Sequence, residues 1–260
     1  MNGLQTSKFD DIKGQKRDPL IPAPAPDIPV DKREDFYYIV MGGFTLAACA
    51  GFVNAVSMIS SFAMTVSHLT GVSTRIGLFF SKIDFSSMFL QLLVVLCYGL
   101  GCVLVGSFIS NQRFYYSRKY GIFLILESGI IAIAATLYVQ DNRIGIYFSA
   151  FGMGIQNSLF SNFSGAVVRT THVTGLVTDI GLLFGHWIRF KEPPKELWRL
   201  KVFIPLYVGY VVGAILGGWF FDMLGVKAMY IPCIFLCATG VIWTLWRMKY
   251  KLTNTEKHAI

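Results

Sequence analysis

The chain has 260 residues, of which 54% are hydrophobic and only 15% charged, with a formal net charge of +8. A soluble domain carries about 25% charged residues, so this composition excludes a soluble enzyme, a disordered chain and a disulfide-stapled secreted domain. It leaves an all-α polytopic membrane protein.

Residues 1–35 hold 6 Lys/Arg and 7 Asp/Glu beside Pro19, Pro22, Pro24, Pro26 and Pro29. Such a segment cannot bury enough apolar surface to order itself, and it reads as an extended or disordered cytoplasmic tail. The apolar run after it is long enough to stay as an anchor, so the start of the chain does not read as a signal peptide. The transmembrane domain is expected over 36–247 and a basic cytoplasmic tail over 248–260.

A bilayer's hydrocarbon core is about 30 Å thick and needs roughly 20 apolar residues per spanning helix. Six stretches meet that length: 37–59, 86–110, 120–139, 144–163, 202–221 and 228–246. The runs are continuous, without the period-2 polarity of barrel strands. Only 120–139 contains a charged residue, Glu127. Two further stretches are long enough but polar. Residues 62–80 contain Ser67, His68, Thr70, Ser73, Thr74 and Arg75; residues 166–188 contain Arg169, Thr170, Thr171, His172, Thr174, Thr178, Asp179 and His186. A central Arg or Asp costs about 2.5–3.5 kcal/mol on insertion scales, so these segments read as broken, re-entrant or shielded elements.

Positive charge chooses between crossing and turning back. With a cytoplasmic amino terminus and Arg75 left aside, two full crossings would put 17 Lys/Arg inside and 5 outside, whereas two re-entrant segments put 19 inside and 3 outside. The positive-inside rule favours the second. Both arrangements leave both termini in the cytoplasm.

An internal repeat runs through the same elements. Ser67-His68-Leu69-Thr70-Gly71 corresponds to Thr171-His172-Val173-Thr174-Gly175 at an offset of 104. Upstream, Gly51 and Asn54 correspond to Gly154 and Asn157 at 103; downstream, Tyr98, Gly101 and Gly106 correspond to Tyr210, Gly213 and Gly218 at 112. The repeats cover 37–139 and 144–246. Three crossings per half make them inverted, the architecture of many secondary transporters; four would make them parallel.

Gly51-Phe52-Val53-Asn54-Ala55, His68-Leu69-Thr70-Gly71, Glu127, Gly154-Ile155-Gln156-Asn157 and Arg169-Thr170-Thr171-His172-Val173-Thr174-Gly175 with Asp179-Ile180-Gly181 together resemble the YoaK family of bacterial integral membrane proteins. The resemblance covers roughly 37–247. It implies a bacterial cell (inner) membrane and about six spans, and it brings no substrate. The family pattern has Asp where Asn54 stands and Asn where Val72 stands, so this chain lacks one carboxylate and has a less polar first His-Thr-Gly segment.

Helical spacing puts His68, Gly71 and Arg75 on one face, and likewise His172, Gly175 and Asp179. Gly71, Gly77, Gly175 and Gly181 permit close helix approach, and the hydroxyls of Thr70, Thr74, Thr174 and Thr178 satisfy freed backbone groups or line a polar path. Arg75 and Asp179 occupy equivalent positions with opposite charge, which suggests a pair across the repeat interface; snorkelling of Arg75 to the membrane surface is the alternative. Glu127 is a proton-coupling candidate or a neutral helix contact. Asn54 and Asn157 are pathway candidates or interhelical glue.

Cys49, Cys97, Cys102, Cys233 and Cys237 lie in apolar runs, and no metal-ligand spacing surrounds them. No P-loop, nucleophile elbow or metalloprotease motif occurs, and no cofactor, metal or nucleic-acid partner is implied. The expected partners are the lipid bilayer and a small solute, with a homo-oligomer left open. The leading function is a small-solute permease, ion- or proton-coupled, with its site between the two His-Thr-Gly segments. The alternatives are a membrane-embedded enzyme using His68 or His172 as general base on a lipid-like substrate, and a noncatalytic membrane scaffold.

Overall fold

The protein's structure is a computed structural model that describes residues 33–109, 118–164, 170–191 and 195–257. The Pro-rich stretch expected to be disordered (Arg33, Glu34 and Asp35 excepted) and residues 166–169 of the second polar stretch, Arg169 among them, lie outside these ranges. The chain divides into Met1–Phe36 and Tyr37–Ile260, and the architecture below is that of the second unit.

Among the described residues there are eight α-helices and no strand: α1 (Arg33–Ile59), α2 (Leu69–Ser81), α3 (Phe85–Phe108), α4 (Arg118–Val139), α5 (Ile144–Ser164), α6 (Val173–Phe190), α7 (Leu200–Leu224) and α8 (Tyr230–Lys257). Short 3₁₀ turns, Lys195–Arg199 and Gly225–Met229, precede α7 and α8. The expected spans correspond to α1, α3, α4, α5, α7 and α8, and the two polar stretches contain α2 and α6. Helix α8 runs past the apolar stretch that ends at 246, because Arg247, Lys249 and Lys251 are good helix formers and neither Gly nor Pro interrupts them.

Among the described residues, four stretches are apolar and long enough to cross a membrane: Val40–Ile59, Phe85–Phe108, Arg118–Val139 and Leu197–Lys249. The last holds both α7 and α8. Helix α5 stands outside that set because Gln156, Asn157 and several serines lower its hydropathy. It is instead the most enclosed of the helices, with Ser149, Gln156 and Asn157 all buried. Polar side chains on an enclosed helix are shielded from lipid, so low hydropathy does not bar it from the bundle.

Helices that contact lipid on one side cannot rely on the hydrophobic effect to associate, and they use small residues to bring backbones together. A side chain at Gly51 would strike the Tyr210 carbonyl, one at Gly209 the Phe44 carbonyl, one at Gly213 the Ala48 carbonyl and one at Gly217 the Phe52 carbonyl. Residue numbers rise together along both helices, so α1 and α7 run parallel. The equivalent crossing joins α5 to α3: a side chain at Gly154 would strike the Tyr98 carbonyl and one at Gly101 the Phe151 carbonyl. Further along the same pair, Asn162 donates to the Ile109 carbonyl at 3.2 Å, so these two helices are parallel as well. The first helix of each half therefore packs on the third helix of the other.

The fourth helices pack on each other. Gly121 faces Gly240 and Thr244, the Ser128 hydroxyl donates to the Cys233 carbonyl at 2.8 Å, and Thr136 meets the Tyr230 hydroxyl at 2.9 Å. Numbers fall along α8 as they rise along α4, so this crossing is antiparallel. The core between the helices is filled by Val53, Val56, Ile131, Ala134 and Met153, all fully buried.

Helix α2 has 13 residues, about 20 Å at 1.5 Å per residue, well short of the hydrocarbon thickness. A cavity of about 190 Å³ is lined by Ser61 and Phe62 after α1, Phe79 near the end of α2, Ser87, Leu90 and Gln91 at the start of α3, and Arg143, Ile146 and Tyr147 at the start of α5. The chain thus leaves α1 and begins α3 at the same end of the bundle. Between α2 and α3, Asp84 accepts the Ser87 backbone N–H at 3.0 Å as the N-cap of α3. That bond holds its carboxyl below the usual carboxylate range.

Glycine substitutions separate packing from tolerance. Gly101→Val and Gly213→Val drive a side chain into a neighbouring backbone and should cost about 3 kcal/mol or more. Gly99 and Gly218, beside which nothing lies within 4 Å, should accept alanine with a gain of about 0.5–1 kcal/mol. Thermal melts of the purified variants in detergent read both outcomes: Tm falls for the valines and holds or rises for the alanines.

Candidate functional site

The described residues just before α2 and α6, Met64–Ser67 and Thr170–Thr171, lie outside the helices, yet Met64, Val66, Ser67, Thr170 and Thr171 are buried. Their polar groups must therefore find partners, and one amide in each half supplies them. Asn54 Oδ1 accepts from the Val66 backbone N–H at 3.1 Å, the Ser67 N–H at 3.4 Å and the Ser67 hydroxyl at 3.2 Å. In the second half Asn157 Oδ1 accepts from the Thr170 hydroxyl at 2.9 Å and the Thr171 N–H at 3.2 Å. Its Nδ2 donates to the Thr171 hydroxyl at 2.7 Å and to the Met153 carbonyl at 3.2 Å. Each asparagine sits on the first helix of its half and holds the residues just before the polar helix.

His68 and His172 follow as the residues immediately before α2 and α6. They lie within electrostatic range of each other. The half-buried His68 reaches the third helix of the opposite half: its Nε2 is 2.5 Å from the Tyr210 hydroxyl, with the rings edge-on. His172 folds back on its own helix, where its imidazole occupies the space a side chain at Gly175 would need. The same motif therefore stands in two arrangements within one molecule.

A family model described as "Protein of unknown function (DUF1275)" matches residues 42–242. The chain belongs to the DUF1275 family. The resemblance to YoaK proteins is a resemblance to members of this family. No curated protein and no solved structure matches the chain.

The remaining sequence-picked residues of this DUF1275 chain fall into two groups. Thr70, Thr74, Arg75, Thr174, Thr178 and Asp179 are exposed on the outer faces of α2 and α6. The Thr74 and Thr178 hydroxyls return to the carbonyls of Thr70 and Thr174, four residues back. The anticipated pair between Arg75 and Asp179 does not form. Arg75 donates instead to the Ala63 carbonyl and the Met64 sulfur, both at 3.4 Å, because its long side chain reaches back over the segment before its own helix. The expected close helix approach at Gly71, Gly77 and Gly181 is also absent, since nothing lies within 4 Å of a side chain placed there. Glu127 forms the second group alone: fully buried in α4, with neither carboxyl oxygen hydrogen-bonded.

Sequence reasoning missed four residues. Tyr210 appears in the repeat only as an aligned aromatic, with no sign that it meets His68. Met64 accepts from Arg75 and from the buried Gln91, at 3.3 Å in the latter case, and a thioether carries no sequence signal for that role. Gln91 and Gln156 are the only amides of their type in α3 and α5, a rarity in apolar helices that marks them in retrospect.

The two asparagines differ in what they use, and this predicts different tolerances. Asn54 holds the segment through its oxygen alone, while its nitrogen meets the Met58 sulfur at 3.6 Å and its side chain also bonds Tyr210. Asn54→Asp should retain folding within about 1 kcal/mol, whereas Asn54→Leu strands backbone donors and should cost about 2–4 kcal/mol. Asn157 uses both atoms, so Asn157→Asp should already lose about 1–3 kcal/mol. Folded yield and Tm of the three variants check the ordering.

Proposed function

We propose that this DUF1275 protein is a small-solute permease of the bacterial cell (inner) membrane. In this reading six helices cross the bilayer, α2 and α6 re-enter from opposite sides, both termini are cytoplasmic, and the halves are inverted repeats. The antiparallel crossing of α4 with α8, which eight crossings would make parallel, and the shared level of the α1 end and the α3 start support that topology. Discontinuous helices whose N-termini meet near the midplane are the usual site-forming element of inverted-repeat transporters.

The observation that carries the reading is the paired arrangement of His68 and His172. Both stand at the start of a polar helix, both starts are tied to the opposite end of an asparagine bridge, and the two histidines adopt different conformations. Alternating access in an inverted repeat requires the halves to exchange conformations. In the opposite state His172 turns toward Tyr98, the counterpart of Tyr210, and His68 folds back over Gly71. The open face of Thr70, Thr74, Arg75, Thr174, Thr178 and Asp179 then forms the polar lining of the route, and the solute sits between the His-Thr-Gly segments.

Single cysteines across 66–80 and 170–184, in a background without Cys49, Cys97, Cys102, Cys233 and Cys237, test this in sealed vesicles with a membrane-impermeant thiol reagent. Thr70→Cys and Thr174→Cys should react from both sides. Adding Gly71→Ala, which is free of contact here but obstructs His68 in the opposite state, should leave folding intact and restrict reaction to one side. Reaction from one side in both backgrounds would favour an enzyme cleft, and no reaction would favour a structural core.

A further inference from the structure

The bundle contains a second polar locus apart from the histidine centre. Glu127 on α4 and Gln156 on α5 are both fully buried. Both Glu127 carboxyl oxygens and the Gln156 Oε1 lack a hydrogen-bond partner. The helix register brings them together. A side chain at Gly152 would meet Ile131, and α4 and α5 are antiparallel, so the residues four before Ile131 and four after Gly152 lie one turn along the same interface. Those residues are Glu127 and Gln156.

The first helix closes the locus. Gln156 Nε2 donates to the Leu46 carbonyl of α1 at 2.6 Å, and Cys49, three residues further along α1, lies within electrostatic range of Glu127. Cys233 of α8 does so from the other side. These two thiols are the titratable groups that face the carboxyl from α1 and α8. Helix α5 presents no charged side chain. Lys227, in the 3₁₀ turn before α8, lies beyond the Thr136–Tyr230 contact, more than two helical turns from Glu127.

Three acceptors with no donor bonded to them are not a stable buried set, since each orphan costs about 1–3 kcal/mol and an unpaired carboxylate far more. One proton resolves most of it. We propose that Glu127 and Gln156 form an exchangeable proton site at the junction of α1, α4 and α5, in which the Glu127 O–H donates to Gln156 Oε1. Loss of the proton to water leaves a carboxylate that now needs a donor. The Gln156 amide then turns so that Nε2 donates to the carboxylate, and in doing so it releases the Leu46 carbonyl.

That switch makes and breaks the bond between α1 and α5, the first helices of the two halves. Gln156 is also the immediate neighbour of Asn157, which holds the residues before α6. Coupling of this proton to solute movement rests on the permease reading; occupancy of the site by a proton does not.

Infrared difference spectroscopy of the full-length protein in lipid vesicles, stepped in pH, tests the site without any solute. The wild type should show a protonated-carboxyl stretch at neutral pH that disappears as pH rises. The band should be missing in Glu127→Gln and displaced to higher frequency in Gln156→Leu, where the acceptor is gone. Labelling the wild type with ¹³C-glutamine gives the same reading without a core substitution: a glutamine amide band should shift together with the carboxyl band. The proposal is overturned if folded wild type lacks the band, if the glutamine band does not move with it, or if the carboxyl stays protonated until the protein unfolds. Failure of solute transport with the band titrating as expected would instead overturn the permease reading alone.

Discussion

Two asparagines hold this architecture. In a bilayer, non-helical backbone survives only where protein or enclosed water satisfies it, and the described residues just before α2 and α6 are non-helical and partly buried. Asn54 gathers two backbone donors and a hydroxyl onto one oxygen, and Asn157 gathers a backbone donor and two hydroxyls onto both of its amide atoms. Without these bonds the polar helices have no fixed starting point and the histidines no fixed position. The close crossings at Gly51 and Gly154 lie one turn before the same asparagines, so backbone approach and segment anchoring are built into one stretch of each half.

The polar helices themselves are lightly held. In α2 only Val72 is buried, and in α6 only Leu176 and Leu183. Elements with few buried contacts open at low free-energy cost, which suits the exchange of arrangements proposed for them. The contrast between His68 on Tyr210 and His172 over Gly175 is the local expression of that freedom. Glu127 and Gln156 occupy the opposite regime, fully enclosed, where one proton decides which hydrogen bonds can form.

Much of this was legible in the sequence. The helices follow from continuous apolar runs with charged breaks, and the match between the halves located Asn54, Asn157, His68 and His172 at equivalent positions. The same-sequence logic failed where the answer depends on side-chain reach. Arg75 and Asp179 are equivalent by alignment, yet Arg75 is drawn back to Ala63 and Met64, a choice no spacing encodes. Gly71, Gly77 and Gly181 look like packing glycines but contact nothing, while Gly175 makes room for an imidazole on its own helix. Gln156 enters the sequence reading only as part of a motif, because it has no counterpart in the repeat and its carbonyl's lack of a donor is visible only in the packed helices.

The central claim is that α2 turns back within the membrane and that the halves are therefore inverted. Sidedness of single cysteines at Ser61, Ser81 and Lys191, in sealed vesicles of known orientation, tests it most directly. The account predicts that Ser61→Cys and Ser81→Cys label only from the outside and Lys191→Cys only from the cytoplasmic side. Labelling of Ser81→Cys from the cytoplasmic side, with Ser61→Cys labelling from the outside, would mean that α2 crosses and would contradict the account.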